Sequence, residues 1–142
     1  ADRPAGARGP ADRGARETRP VTPRRRWLLV ALVAGVILVA SLLPAGGGPT
    51  PTLLGVGLDK WQHLGGYAVL AVALGYALRA GDRPRVEGLV LAFTVTVGYG
   101  VLIECLQLPL ATRAFSVGDM LADALGAAVG TAVVSRFARF GR

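Results

Sequence analysis

Nine residues of this chain have the types and spacing to handle charge and protons: Asp59, Lys60, His63, Tyr67, Glu104, Gln107, Arg113, Asp119 and Asp123. On helices they form three stripes. Asp59, His63 and Tyr67 stand at i, i+4 and i+8 and share a face. Glu104 and Gln107 are i, i+3, with Gly100 on the same stripe. Asp119 and Asp123 continue into Gly126 and Gly130, so that stripe is acidic at its start and small-x-x-x-small beyond, the spacing that lets a neighbouring helix approach closely. Three chemistries are open to this set. Lys60 and Arg113 can hold a phosphate or carboxylate, Arg as a bidentate fork and Lys as a point charge. His63 with Asp59 or Asp119 can form an oriented general base, and Glu104, held out of water, an acid. His63, Glu104 and Asp119 can ligate a divalent cation, and one His with carboxylates suits Mg²⁺ or Mn²⁺ better than structural zinc.

The charges in this set do not balance. Lys60 and Arg113 face Asp59, Glu104, Asp119 and Asp123. A protonated carboxyl, a charged His63 or a cation from outside would make up the difference. Plainer duties compete for some of these residues. Asp59 can cap the helix it opens. Ser116 to Asp119 fits the S-x-x-D start of a helix. Lys60 and Trp61 are ordinary interfacial anchors. Gly126 and Gly130 serve packing alone. No nucleophile stands out: Ser116 has no His beside it in sequence, and Cys105 is expected to face packing.

The elements that must position these residues are membrane helices. Of 142 residues, 52% are hydrophobic and the mean hydropathy is +0.48, too apolar for an ordinary soluble domain. Four apolar runs appear: Trp27 to Leu43, about Lys60 to Leu78, about Val86 to Leu108, and about Asp119 to Phe137. Each is near the roughly 17–25 residues that span a bilayer. Lipid offers no water to open backbone groups, so the runs are predicted as helices. A single Cys and a single His exclude an internal disulfide, a Cys-based zinc site and any site needing two histidines from one chain.

The basic residues orient these runs. Of 16 Lys and Arg, 14 fall on one side: eight before the first run, Arg79, Arg83 and Arg85 between the second and third, and Arg136, Arg139 and Arg142 after the fourth. Only Lys60 and Arg113 lie on the other. The positive-inside rule then puts both termini in the cytoplasm and the nine polar residues at the outer surface. Residues 1–26 read as a disordered Arg-rich cytoplasmic arm, 27–137 as the membrane domain, and 138–142 as a cytoplasmic tail. The arm lacks interleaved aromatics and runs into a membrane segment, so it fits topology and lipid contact rather than nucleic acid. The first run exceeds the 7–15 apolar residues of a signal peptide and lacks a clear A-x-A site, so it is expected to be retained.

In order and spacing these residues resemble the VanZ-like family of membrane proteins. The matching elements are D-K-x-x-H at Asp59–His63, E-x-x-Q at Glu104–Gln107, Arg113 in the following loop, and Asp119, Asp123, Gly126 and Gly130 on the last helix. The resemblance covers roughly residues 27–135. Asp123 stands where the family pattern has Asn, which makes this site more acidic. The resemblance implies an all-α bundle of four transmembrane helices and an association with resistance to teicoplanin-type glycopeptides. It implies no agreed reaction or cofactor. Three functions therefore stay open. The outer cluster binds or modifies an envelope ligand, such as a membrane lipid, a lipid-linked cell-wall precursor or a glycopeptide. Alternatively it is an acid–base or metal-assisted enzyme acting on a lipid-linked substrate, or its polar residues only hold the helices together. A transporter fits less well, because no charge lies at the midplane.

Overall fold

The computed structural model describes residues 22–43, 48, 50–110 and 115–137. Residues 1–21 of the arm, Arg113 and the tail 138–142 lie outside the described residues. Four helices carry the chain: α1 (Pro23–Leu42), α2 (Leu58–Leu78), α3 (Arg85–Gln107) and α4 (Val117–Phe137). α1 begins before the expected Trp27, so Arg24, Arg25 and Arg26 are helical rather than part of the arm. The reason is local. Pro23 has φ fixed near the helical value and no N–H to satisfy, which suits the first position of a helix.

Before α2 the chain forms a small hairpin. β1 (Thr52–Leu53) pairs antiparallel with β2 (Val56–Gly57) around Leu54 and Gly55. Both turn residues have positive φ, 54° and 77°. A two-residue hairpin turn of the primed type requires this. Leucine seldom adopts it, so the usual Asn-Gly or Asp-Gly signal is missing from the sequence. The hairpin is tied to α2 by the Trp61 indole N–H, which donates to the Leu53 carbonyl at 3.1 Å.

Sequence neighbours run antiparallel, as short connections between helices demand. Arg26 meets Tyr76 and Gly66 approaches Ile37, so α1 and α2 are antiparallel. Lys60 meets Asp119 while Gly75 meets Val134, so α2 and α4 are parallel. α2 is central. It packs against all three other helices, most extensively α4, and buries Tyr67, Leu70, Ala71, Ala73, Leu74 and Ala77. α1 is peripheral and buries no residue. Its ties are polar. Tyr99 donates to the Ala34 carbonyl at 2.7 Å, Gln107 to the Ser41 carbonyl at 2.7 Å, and Arg26 to the Tyr76 carbonyl at 3.3 Å. The Arg26 guanidinium also lies 4.3 Å from the Tyr76 ring centre, a cation–π contact.

Three of the helices, α1, α3 and α4, are long and apolar enough to cross a membrane. α2 is of similar length but carries Asp59, Lys60, Gln62 and His63 in its first two turns. A helix shielded by three others has less need of apolar surface all round. The α2–α4 contact is the tightest in the bundle. A Cβ at Gly126 would collide with the Leu64 carbonyl, and one at Gly130 with the Ala68 carbonyl and, at 2.8 Å, with the Ala71 methyl.

This reverses a general preference. Gly to Ala inside a helix normally stabilises by up to about 1 kcal/mol. At Gly88, which has open space around it, Gly→Ala is expected to be neutral or favourable. At Gly130 the same change meets backbone and should cost on the order of 1–3 kcal/mol. Thermal unfolding of the two detergent-purified variants checks this; equal midpoints would contradict the close α2–α4 contact.

Candidate functional site

The polar residues of three helices meet at one end of the bundle. From α2, the Lys60 ammonium lies 3.0 Å from a carboxylate oxygen of Asp59 and 3.0 Å from one of Asp119 on α4. One turn on, His63 Nδ1 is 2.8 Å from Asp123 Oδ1, while His63 Nε2 is 4.0 Å from Asp119 Oδ2. The first is hydrogen-bond distance; the second is too long for one and wide enough for a bridging water or hydroxyl. The imidazole is thus held by a buried carboxylate on one side and faces a second carboxylate on the other. Tyr67 stacks below it, its ring 6.1 Å away and nearly parallel.

The i, i+3 spacing of Lys60 and His63 on α2 and the i, i+4 spacing of Asp119 and Asp123 on α4 explain this ladder. Two parallel helices in close contact bring Lys60 beside Asp119 and His63 beside Asp123, one turn apart on each. From α3, Gly100 makes room. A Cβ there would lie 2.6 Å from Asp123 Oδ2 and 3.1 Å from the Tyr67 ring. Glu104 and Asp123 are each only 1% exposed. Both keep one oxygen, Glu104 Oε1 and Asp123 Oδ2, without a hydrogen-bond partner among the described residues, as does the Tyr67 hydroxyl.

The start of α4 is capped in an unexpected way. The Ser116 hydroxyl accepts the Asp119 N–H at 3.1 Å, as an N-cap should. In a capping box, the residue three positions on would take the Ser116 N–H in return. Glu104 of α3 takes it instead, at 3.0 Å. Asp119 therefore spends its carboxylate on Lys60 and faces His63. The sequence pattern marks the helix start but not this substitution, because Glu104 comes from another helix.

Asp59, His63 and Tyr67 line a cleft between α1 and α2 of about 130 Å³, completed by Gln62, Gly66 and three residues of α1. The sequence offered little reason to single out Gln62 or Ser41. Gln107 is directed to α1 and holds the Ser41 carbonyl rather than facing Glu104's partners. Tyr99, through its hydroxyl, and Tyr76, through its carbonyl, anchor α1. Cys105, expected to face packing, is exposed. Arg113 lies outside the described residues, so its place is not part of this geometry. Among the described residues, no three of His, Cys, Asp and Glu are arranged to hold a metal ion, and His63, Glu104 and Asp119 do not form such a set.

Two substitutions separate capping from charge. Ser116→Ala removes the cap and should lower stability by about 1 kcal/mol. Asp119→Asn leaves the cap in place but weakens the hold on Lys60, so labelling of Lys60 by an amine-reactive reagent should speed up with little change in the unfolding midpoint. The reverse pattern would assign Asp119 to the helix start.

No curated protein and no solved structure matches this chain. The profile of the VanZ/LLP1 family matches it over residues 27–138, which takes in α2, α3, α4, all but the first turn of α1, and every charged group of the cluster. Three long apolar helices and this match agree on a multi-pass membrane protein. The match also runs through the D-K-x-x-H, E-x-x-Q and D-x-x-x-D segments on which the resemblance rested, and the chain belongs to the VanZ/LLP1 family.

Proposed function

We infer that the chain crosses the cell membrane four times, with both termini cytoplasmic, and that its outer polar cluster binds or modifies a cell-envelope ligand. The observation that carries this is the pair of buried carboxylates, Glu104 and Asp123, each with an oxygen left without a partner among the described residues. Charge buried near one end of a membrane bundle is costly, roughly 2.5–3.5 kcal/mol per group at the centre and less near the interface. A network built only to join helices gains little from open oxygens, since interhelical polar contacts average about 0.6 kcal/mol. Groups held ready for a ligand keep such oxygens free.

Orientation follows from charge. Arg26, Arg79, Arg83, Arg85 and Arg136 lie at the bundle end opposite the cluster. Lys60, shared by two carboxylates, orients the site rather than offering a free charge. Membrane lipids, lipid-linked cell-wall precursors and teicoplanin-type glycopeptides are the ligand classes consistent with an outer site in this family. Nucleic acid has no place in this reading.

A second reading, acid–base catalysis on a lipid-linked substrate, is favoured by one feature. His63 is fixed through Nδ1 by Asp123, which leaves Nε2 to take a proton from a group lying between it and Asp119.

Fusing a reporter to the C-terminus should give cytoplasmic activity only; a periplasmic or external signal would refute the orientation. Function is tested by glycopeptide sensitivity in a susceptible host expressing the wild type or Glu104→Gln, with membrane levels of both quantified. The expected outcome is protection by the wild type and loss of most of it in an equally abundant variant. Equal protection by both would show that Glu104 is not part of a working site. Poor accumulation of the variant, with no protection by either, favours a structural role.

A further inference from the structure

We propose that the cleft between α1 and α2 seats a small ammonium headgroup carried on an acyl chain. The proposal rests on the reading of the outer cluster as a ligand site and names the class of group the site takes.

Size sets the first limit. A cleft of about 130 Å³ equals roughly four waters at about 30 Å³ each. It is well below the roughly 300–1,000 Å³ of pockets that enclose drug-sized molecules. A headgroup of a few heavy atoms fits, whereas a whole glycopeptide does not.

Polarity sets the second. The α2 wall is formed by Asp59, Gln62, His63 and Tyr67, with Asp59 as its one carboxylate. The Tyr67 side chain is 1% exposed and its hydroxyl has no partner among the described residues. An ammonium brings three donors and a positive charge, the complement of the Asp59 carboxylate. Asp59 is free to share one, since its side chain remains 39% exposed while it holds Lys60.

Charge sets the third. Among the described residues, Lys60 and a charged His63 are two cations beside the four carboxylates Asp59, Glu104, Asp119 and Asp123, of which Asp59 lines the cleft. A cationic group reduces that surplus; a phosphate alone would have to bind against it. The opposite wall belongs to α1, which contributes Ile37 and Ala40 to the cleft and leaves Leu32, Val36 and Val39 exposed along its length. An acyl chain attached to the headgroup meets apolar side chains there.

The test uses the full chain, purified in detergent, with binding read from thermal unfolding titrations. The probes are dihexanoyl phosphatidylethanolamine, its N-acetyl derivative, dihexanoyl phosphatidylglycerol and hexylamine. The ethanolamine lipid should bind at least tenfold more tightly than the N-acetyl and glycerol lipids. Gly66→Leu, which fills the cleft near Ile37, should abolish that binding, and Asp59→Asn should weaken it about tenfold. Asp59→Asn serves alone if Gly66→Leu does not fold. Binding of hexylamine as well assigns the site to any alkylammonium; binding of the lipid alone assigns it to a phospholipid headgroup. Equal affinity for the N-acetyl lipid, no binding of either amine, or wild-type affinity in the folded variants would overturn the proposal. If Glu104→Gln loses glycopeptide protection while Gly66→Leu keeps both protection and amine binding, the cleft assignment fails and the outer-site reading stands. If neither variant changes protection or binding, both fall.

Discussion

Everything at the polar end depends on how closely α4 lies on α2. Gly126 and Gly130 have no side chains to hold the helices apart, so the α4 backbone rests against the Leu64 and Ala68 carbonyls. That distance makes short contacts out of side chains two residue types away. At this close approach the Lys60 ammonium lies 3.0 Å from Asp119 and the His63 ring 2.8 Å from Asp123. The glycine half of the α4 stripe and its acidic half are therefore one device. The first sets the separation, and the second uses it.

Close packing also raises the stakes of each charge. At the His63–Asp123 pair, removing one partner leaves the other without compensation, at roughly 3–5 kcal/mol for buried pairs in soluble proteins, whereas Lys60 keeps Asp59 and open surface when Asp119 is changed. Lys60, His63, Asp119 and Asp123 share partners, so a change at one is felt at the next and their effects will not add. Glu104 extends this coupling to α3. By taking the Ser116 N–H, it ties the beginning of α4 to the end of α3 and releases Asp119 for the cluster. One hydrogen bond thus links the local question of where a helix starts to the arrangement of the site.

α1 stands apart from this logic. It buries nothing and is held at three levels, by its own Arg26 donating to the Tyr76 carbonyl of α2 and by Tyr99 and Gln107 donating to its Ala34 and Ser41 carbonyls. Backbone acceptors place few demands on α1's own side chains, which leaves its sequence free to be plainly lipophilic. It also gives α1 its role at the cleft, as an apolar wall beside the polar face of α2.

Much of the architecture was legible in the sequence. Four apolar runs, their caps and breakers, and the gathering of arginines at alternate ends follow from local composition and period. The stripes at Asp59, His63 and Tyr67 and at Asp119, Asp123, Gly126 and Gly130 follow from the 3.6-residue turn, because a helix carries its own geometry. Other features could not be read this way. The hairpin at Thr52–Gly57 hid because Leu54 sits in a backbone region that leucine seldom enters. The choice of Asp123, not Asp59 or Asp119, as the hydrogen-bonded partner of His63 depended on the register of α4 against α2. Glu104's hold on Ser116 and Gln107's on Ser41 depended on which helices became neighbours. Sequence determined what each helix presents, since that is fixed within a few turns of one chain segment. Tertiary structure alone decided which presented groups meet, since a pairing across helices depends on separation and register that no single segment contains.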